Sequence, residues 1–277
     1  MPTTVSAKKF KLPPQPELLS LLQGEIQCDH IDIAKITKII SGDVAASAQV
    51  LKTINSAFFG IKVDVTSVQY AISLMGVDAI VDLIMGLELE KSLNDELVAL
   101  PRFWDSAKNT ASLCAFLANK LELYDASQAY TLGLFHDVGI PLMASKFPDY
   151  LETLKAVNED GSGLTTDLED KRYNTNHADM GYFLSREWGL PNNVRQVIRQ
   201  HHDCMPILKK SSANTDDVTK LMAILKLAEW GSEVHRSGEA AHEWRKISST
   251  LLETLYLSED DSLDLLEDMK DVLISLQ

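Results

Sequence analysis

Apolar residues recur at helical spacing along almost the whole chain, and this feature restricts the fold to packed helices. Leu18, Leu21 and Leu22 form a first short stripe closed by Gly24, and Ile33, Ile36, Ile39 and Ile40 form a second that ends at Ser41 and Gly42. Positions three and four apart share one face of a helix, so each stripe marks a segment that must bury that face against another. Asp43 is placed to cap a third helix, because a short carboxylate accepts the orphan N–H groups of a first turn. That helix is expected to run through Val50, Leu51, Ile54 and Phe58 until Gly60 stops it. Ser67 is expected to cap a fourth, ending at Gly76, and residues 77–93 a fifth. Only residues 61–65 alternate like a strand, and one stretch of that length cannot make a sheet.

Pro101 marks a boundary. Residues 102–121 read as a long amphipathic helix whose Ala107, Ala111, Cys114, Ala115 and Ala118 are small enough to let another helix approach closely. A helix over 126–137 follows, then a break at Gly139 and Pro141, then a helix over 147–158 ended by the polar stretch NEDGSG. Residues 178–188 form the next, closed by Gly189, with Pro191 in the first turn of its successor. The stretch from Lys209 to Asp217 is linker-like, and three further helical segments follow, the last of them (263–276) strongly acidic. The expected architecture is all-α: a smaller N-terminal helical lobe (1–98), a multi-helix core (99–208) and a C-terminal helical extension (217–277), with a hinge near Ala99.

Charge and composition narrow the function classes. Asp plus Glu number 40 against 26 Lys plus Arg, a formal charge of −14. Phosphate backbones require a basic surface, so a nucleic-acid partner is not expected. No apolar run approaches the roughly 18 residues a membrane span needs, and the N-terminal stretch lacks a signal-peptide core. Cys28, Cys114 and Cys204 are odd in number and contain no CxxC pair, which points to reduced thiols in a cytoplasmic protein.

Four of the seven histidines form a series: His136 beside Asp137, then His177, then the adjacent pair His201 and His202. Imidazole and carboxylate are the usual ligands of Fe, Mn, Zn and Ni, and a His-Asp doublet at a helix end offers both from one turn. His136 and Asp137 fall where an apolar helix reaches Gly139, His177 begins a later helix, and His201–His202 ends the one after it. Three helix ends can converge on one divalent ion in a bundle core. The same residues also fit a bland alternative, core histidines satisfied by backbone carbonyls.

Several segments, in order, resemble the HDOD family, the HD-related output domains of bacterial signalling. They are LPPQPELLSLL, GDVAASAQVLKTINSAFFG, SVQYAISLMG, FWDSAKNTA, YTLGLFHDVGIPLM, HADMGYFLSREWGLP and IRQHH, together spanning about residues 12–202. The resemblance implies an HD-like helical bundle related to the HD and HD-GYP metal-dependent phosphohydrolases. It carries the superfamily's His-Asp doublet onto His136 and Asp137, a later HD-GYP histidine onto His177, and the His-His doublet onto His201 and His202. The first metal-binding His of the superfamily falls on Ser106, two positions after Trp104, where a neutral hydroxyl is a poor ligand. The Lys that follows the doublet in HD-GYP enzymes falls on Ile140, which cannot bind a phosphate. The superfamily's final Asp falls near Glu229, one methylene longer.

These departures imply one divalent transition-metal ion (Fe, Mn, Zn or Ni) at most, and weak hydrolytic chemistry. The leading expectation is a signal-transduction module that acts by binding a signalling protein in trans or a ligand such as a nucleotide. The alternative is a metal-dependent phosphohydrolase acting on nucleotides or cyclic dinucleotides.

Overall fold

A computed structural model describes residues 12–28, 30–56, 59–96, 100–160, 164–209, 216–240 and 242–275. Phe58, the hinge position near Ala99 and residues 210–215 of the linker-like stretch lie outside these. Among the described residues there are helices and no strands. The first five are α1 (Glu17–Ile26), α2 (Ile33–Gly42), α3 (Val44–Ile54), α4 (Val68–Met75) and α5 (Val77–Glu96). α6 (Pro101–Lys120), α7 (Ala126–Phe135), α8 (Gly139–Lys146), α9 (Tyr150–Asp160), α10 (Thr165–Tyr173), α11 (His177–Glu187) and α12 (Asn192–Gln200) follow. A 3-10 turn, His201–Asp203, leads to α13 (Met205–Leu208), and α14 (Asp217–Ser237), α15 (His242–Leu255) and α16 (Glu259–Ile274) follow.

The caps act largely as the sequence suggests. Asp43 accepts from Ala46 N–H and Ser67 from Tyr70 N–H, and Gly76 ends α4 at φ +88°. Gly24 does not stop α1, which continues to Ile26, and α3 ends at Ile54 rather than continuing to Gly60. The amide of Asn55 explains the second difference. Its Nδ2 donates to Val65 O (2.9 Å) and its Oδ1 accepts from Val65 N–H (2.8 Å). One side chain thus satisfies both backbone groups of a segment that looked like a strand and has no strand to pair with. Asn55 thereby ties the end of α3 to the segment before α4.

α7 is the axis of the core: of its ten residues all but Gln128 are buried. It packs on α5, α6, α12 and α14. The α6 contact is unusually close, since a Cβ added to Gly133 would lie 2.4 Å from the Cα of Ala111. The small face of α6 therefore serves the purpose its composition suggests: Ala111, Cys114, Ala115 and Ala118 are fully buried. Burying a Leu or Phe side chain contributes about 1.5–3 kcal/mol, and Leu132, Leu134 and Phe135 all reach this core.

α14 and α16 also pack on α6, and α14 on α7 and α12. The segment from 217 onward, read from sequence as an extension, therefore contributes buried residues such as Leu221, Ile224 and Leu227 to the same core. Trp188 ties the N-terminal helices to it: its indole N–H donates to Pro13 O (3.1 Å), and its carbonyl accepts from Gln15 (3.2 Å) and Gln23 (3.1 Å). No single described helix is long and apolar enough to cross a membrane.

Candidate metal centre

Gly139 sets the site's geometry. A Cβ there would lie 1.9 Å from the carbonyl oxygen of His177, so only glycine lets the start of α8 touch the first turn of α11. Gly139 was expected to break the chain; instead α8 begins on it, with Pro141 tolerated in the first turn. This contact brings the turn after α7, which carries His136 and Asp137, against the N-terminus of α11, which carries His177. α12 packs on α11 and delivers His201 and His202 to the same place.

Four donors converge. One ligand atom each from Asp137, His177, His201 and His202 lie within 4.8 Å of one another. Asp137 Oδ1 is 3.2 Å from His201 Nε2 and 3.5 Å from His177 Nε2, and the Nε2 atoms of His177 and His202 are 3.0 Å apart. His136 stands beside this group. Its Nε2 faces the other oxygen of Asp137, Oδ2, at 3.2 Å and Glu229 Oε1 at 3.9 Å.

The tautomers follow from the partners. A carbonyl oxygen only accepts, so Nδ1 of His201 donates to Ile198 O (2.7 Å) and Nδ1 of His136 donates to Gly133 O (2.7 Å). His177 Nδ1 likewise lies against the Glu169 carboxylate at 2.8 and 2.9 Å. In the neutral ring each Nε2 is then left with its lone pair directed inward. Asp137 Oδ1 and His201 Nε2 are both buried and neither has a hydrogen-bond partner. Two orphaned acceptors 3.2 Å apart are costly unless a cation lies between them. Ligands bonded at about 2.1 Å are spaced by ~3.0 Å at right angles and by ~3.4 Å in a tetrahedron, close to the 3.0, 3.2 and 3.5 Å separations seen here. The donor set, two or three imidazoles and a carboxylate, is one that Fe, Mn, Zn or Ni accept.

The electrostatics divide the rings: burial opposes protonation of His177, His201 and His202, but the Glu169 carboxylate raises His177, while His201 and His202 are lowered. Burial pushes the His201 ring down to about 4, helped by neighbouring His202, and burial also lowers His202. Neutral imidazoles are the form a metal needs. Burial opposes the charge on Asp137, but the His136 ring at its other oxygen outweighs it and holds the carboxyl well below its usual range. Burial likewise opposes protonation of His136, yet the Asp137 carboxylate raises that ring to about 9. The C-terminal ends of α7 and α12 add the negative poles of two helices.

Three important residues escaped sequence reasoning. Glu169 on α10 is 1% exposed, accepts from His177 N–H (2.9 Å) and from Tyr150 Oη (2.5 Å), and offsets the positive pole of α11. It fixes the tautomer and orientation of His177, as carboxylates behind metal-bound histidines do. α10 itself was missed because TTDLEDKRY has no apolar stripe. Its signal was charge order, Asp167 in the first turn and Lys171 and Arg172 in the last. Lys226 interrupts the apolar run LMAILKLAEW and is 2% exposed. Glu243, on α15, lies with Oε2 3.5 Å from His202 Nδ1 and gave no local signal.

A cavity of about 200 Å³ adjoins the donors, lined by Ser106, Thr110, His136, Asp137, His201, His202 and residues of α14 and α15, including Trp230 and Trp244. The indoles of Trp230 and Trp244 stack at 4.1 Å, 2° from parallel. Ile140 is partly buried against the core and is not among the cavity's lining residues.

The HDOD domain family model matches residues 12–204. The chain belongs to the HDOD family. Its fold is that of an HDOD domain protein of unknown function from Geobacter sulfurreducens (TM-score 0.69, 18% identity, 97% of this chain and 92% of that one). A protein of Shewanella amazonensis SB2B described as "Putative phosphohydrolase" shares it too (TM-score 0.67, 18% identity, 96% and 95%). An uncharacterized protein of Treponema pallidum is 25% identical over 193 residues, 69% of this chain; the match spans 38% of that relative's length.

Proposed function

We propose that this HDOD chain is a signal-transduction module whose HD-derived centre holds one divalent transition-metal ion and which acts by binding a signalling partner in trans rather than by turnover. The observation that carries the reading is the orphaned pair Asp137 Oδ1 and His201 Nε2, with the Nε2 atoms of His177 and His202 beside it. Asp137, His177, His201 and His202 would hold the ion, with Glu169 orienting His177 from behind. Ser106 lines the cavity with a neutral hydroxyl where the resemblance expects an imidazole, and Ile140 supplies no cation for a phosphate. Both features favour binding over hydrolysis.

The second reading is a phosphohydrolase, and the cavity favours it, because a substrate could reach the donors from that side. A bound ion would lower the pKa of a coordinated water and offset charge on phosphoryl oxygens. The chain's own residues would supply orientation, with His136 held by Asp137 at the cavity wall. The test is metal analysis of the purified chain followed by a screen of nucleotides and cyclic dinucleotides with added Mn or Fe. The module reading expects about one ion per chain and no product. Turnover that disappears in Asp137→Ala would replace it with the hydrolase.

A further inference from the structure

The four-donor set uses one oxygen of Asp137. The second oxygen faces a different group of donors: His136 Nε2 at 3.2 Å and, beside it, Glu229 Oε1, 3.9 Å from the same nitrogen. Glu229 is joined across the cavity by Glu243 of α15. Between these two carboxylates lies the ammonium of Lys226, 2.7 Å from Glu229 Oε2 and 2.7 Å from Glu243 Oε1. The Lys226 side chain is 1% exposed and the carboxylates are 24% and 30% exposed. A buried ammonium persists only when paired, and here it is paired twice, from two helices.

We propose that the Lys226 ammonium is the resident cation of this second donor set, so that the centre takes one divalent ion and not two. By type, the His136 nitrogen with the Asp137 and Glu229 carboxylates is a set a second divalent ion could use, and Glu243 stands on the far side of Lys226 from Glu229. A fixed positive charge between Glu229 and Glu243 repels such an ion and engages Glu229 Oε2, the neighbour of the oxygen that faces His136. Lys226, Glu229 and Glu243 all lie beyond residue 204, where the family match ends, so this restriction is a property of this chain's C-terminal helices. The inference rests on the reading of Asp137, His177, His201 and His202 as ligands of one ion.

The test counts ions. The full chain is loaded with excess Mn²⁺, desalted, and assayed by elemental analysis and electron paramagnetic resonance. The wild type should hold one Mn²⁺ with an uncoupled spectrum. Lys226→Ala frees both carboxylates and should hold two, with the spectrum of a spin-coupled pair; Lys226→Arg keeps the charge and should hold one. Lys226→Met, which preserves the apolar stem, carries the same expectation as alanine and serves if the alanine variant does not fold. Two ions in the wild type, or one in a folded Lys226→Ala or Lys226→Met chain, would overturn the proposal. No ion in the wild type would remove the one-ion reading and this inference with it, whereas one ion in both the wild type and the Lys226→Ala or Lys226→Met chain would sink this inference and leave that reading standing.

Discussion

Replacing Glu169 by Gln removes a charge without changing the shape of the side chain, at a position where that charge faces His177. Glu169 Oε2 accepts from His177 N–H at 2.9 Å and from the ring Nδ1 at 2.8 Å, while Oε1 accepts from Tyr150 Oη at 2.5 Å. A Gln amide best places its NH2 at the Oε1 position, where the Tyr150 hydroxyl can turn and accept, and keeps one oxygen on His177. Three charge-assisted bonds then become neutral ones, a loss of ~1 kcal/mol each and about 3 kcal/mol of stability in total. The ring also loses the carboxylate that raises its basicity, and metal affinity should fall 10–100-fold, roughly 1.4–2.7 kcal/mol. Thermal unfolding of the metal-free chain reads the first quantity, and calorimetric titration with Zn²⁺ or Mn²⁺ the second. Tyr150→Phe is the control: it removes one bond to Glu169, should cost about 1–2 kcal/mol, and should leave metal affinity nearly unchanged. A folded Glu169→Gln chain that binds metal within twofold of the wild type would refute the argument that Glu169 tunes His177.

Chelation should lower the melting temperature of the metal-loaded chain: at a free metal concentration of 100 Kd the bound ion is worth about 2.7 kcal/mol, or ~5–10 °C for a chain of this size. Gly139→Ala should be severely destabilising, because its Cβ meets backbone of His177 that cannot rotate away; a cooperative unfolding transition within ~1 kcal/mol of wild type would contradict the close contact. Asp82, on α5, is raised to about 7 by burial and by the nearby Asp125 carboxylate. The folded state therefore holds this proton more tightly than the unfolded state, and stability should decline as pH rises from ~4 through 7. A shift of about 3 units corresponds to ~4 kcal/mol. Asp82 keeps partial contact with solvent, so Asp82→Asn should gain about 2 kcal/mol at pH 8 and little at pH 4. Equal effects at the two pH values would show that the carboxylate is not strained.

α2 and α6 were legible from sequence because each buries residues of the stripe its spacing defines, Ile36 and Ile40 in the one and Ala107, Ala111, Cys114 and Ala118 in the other. α10 was not, since its stability comes from charge order and from contacts made by single residues such as Glu169. The site divides along the same line. His136, Asp137, His177, His201 and His202 carry their chemistry in residue type and position at helix ends. Glu169 and Glu243 are ordinary surface carboxylates until folding places them behind an imidazole, and no local pattern encodes that placement. Asn55 teaches the converse: the brief alternation at 61–65 forms no strand, and the backbone groups of Val65 are met by one amide side chain.

α14 and α15 close one wall of the cleft from a stretch that the family match leaves out. A fragment trimmed at residue 204 would keep every histidine of the series and still present a different pocket. The ring of His202 would lose the acid behind it, the floor under Ser106 and Thr110 would open to bulk water, and the apolar sides of α6 and α7 would be stripped of their cover. Fragment boundaries drawn from similarity alone would therefore yield a less stable protein whose ion-handling differs from that of the whole chain.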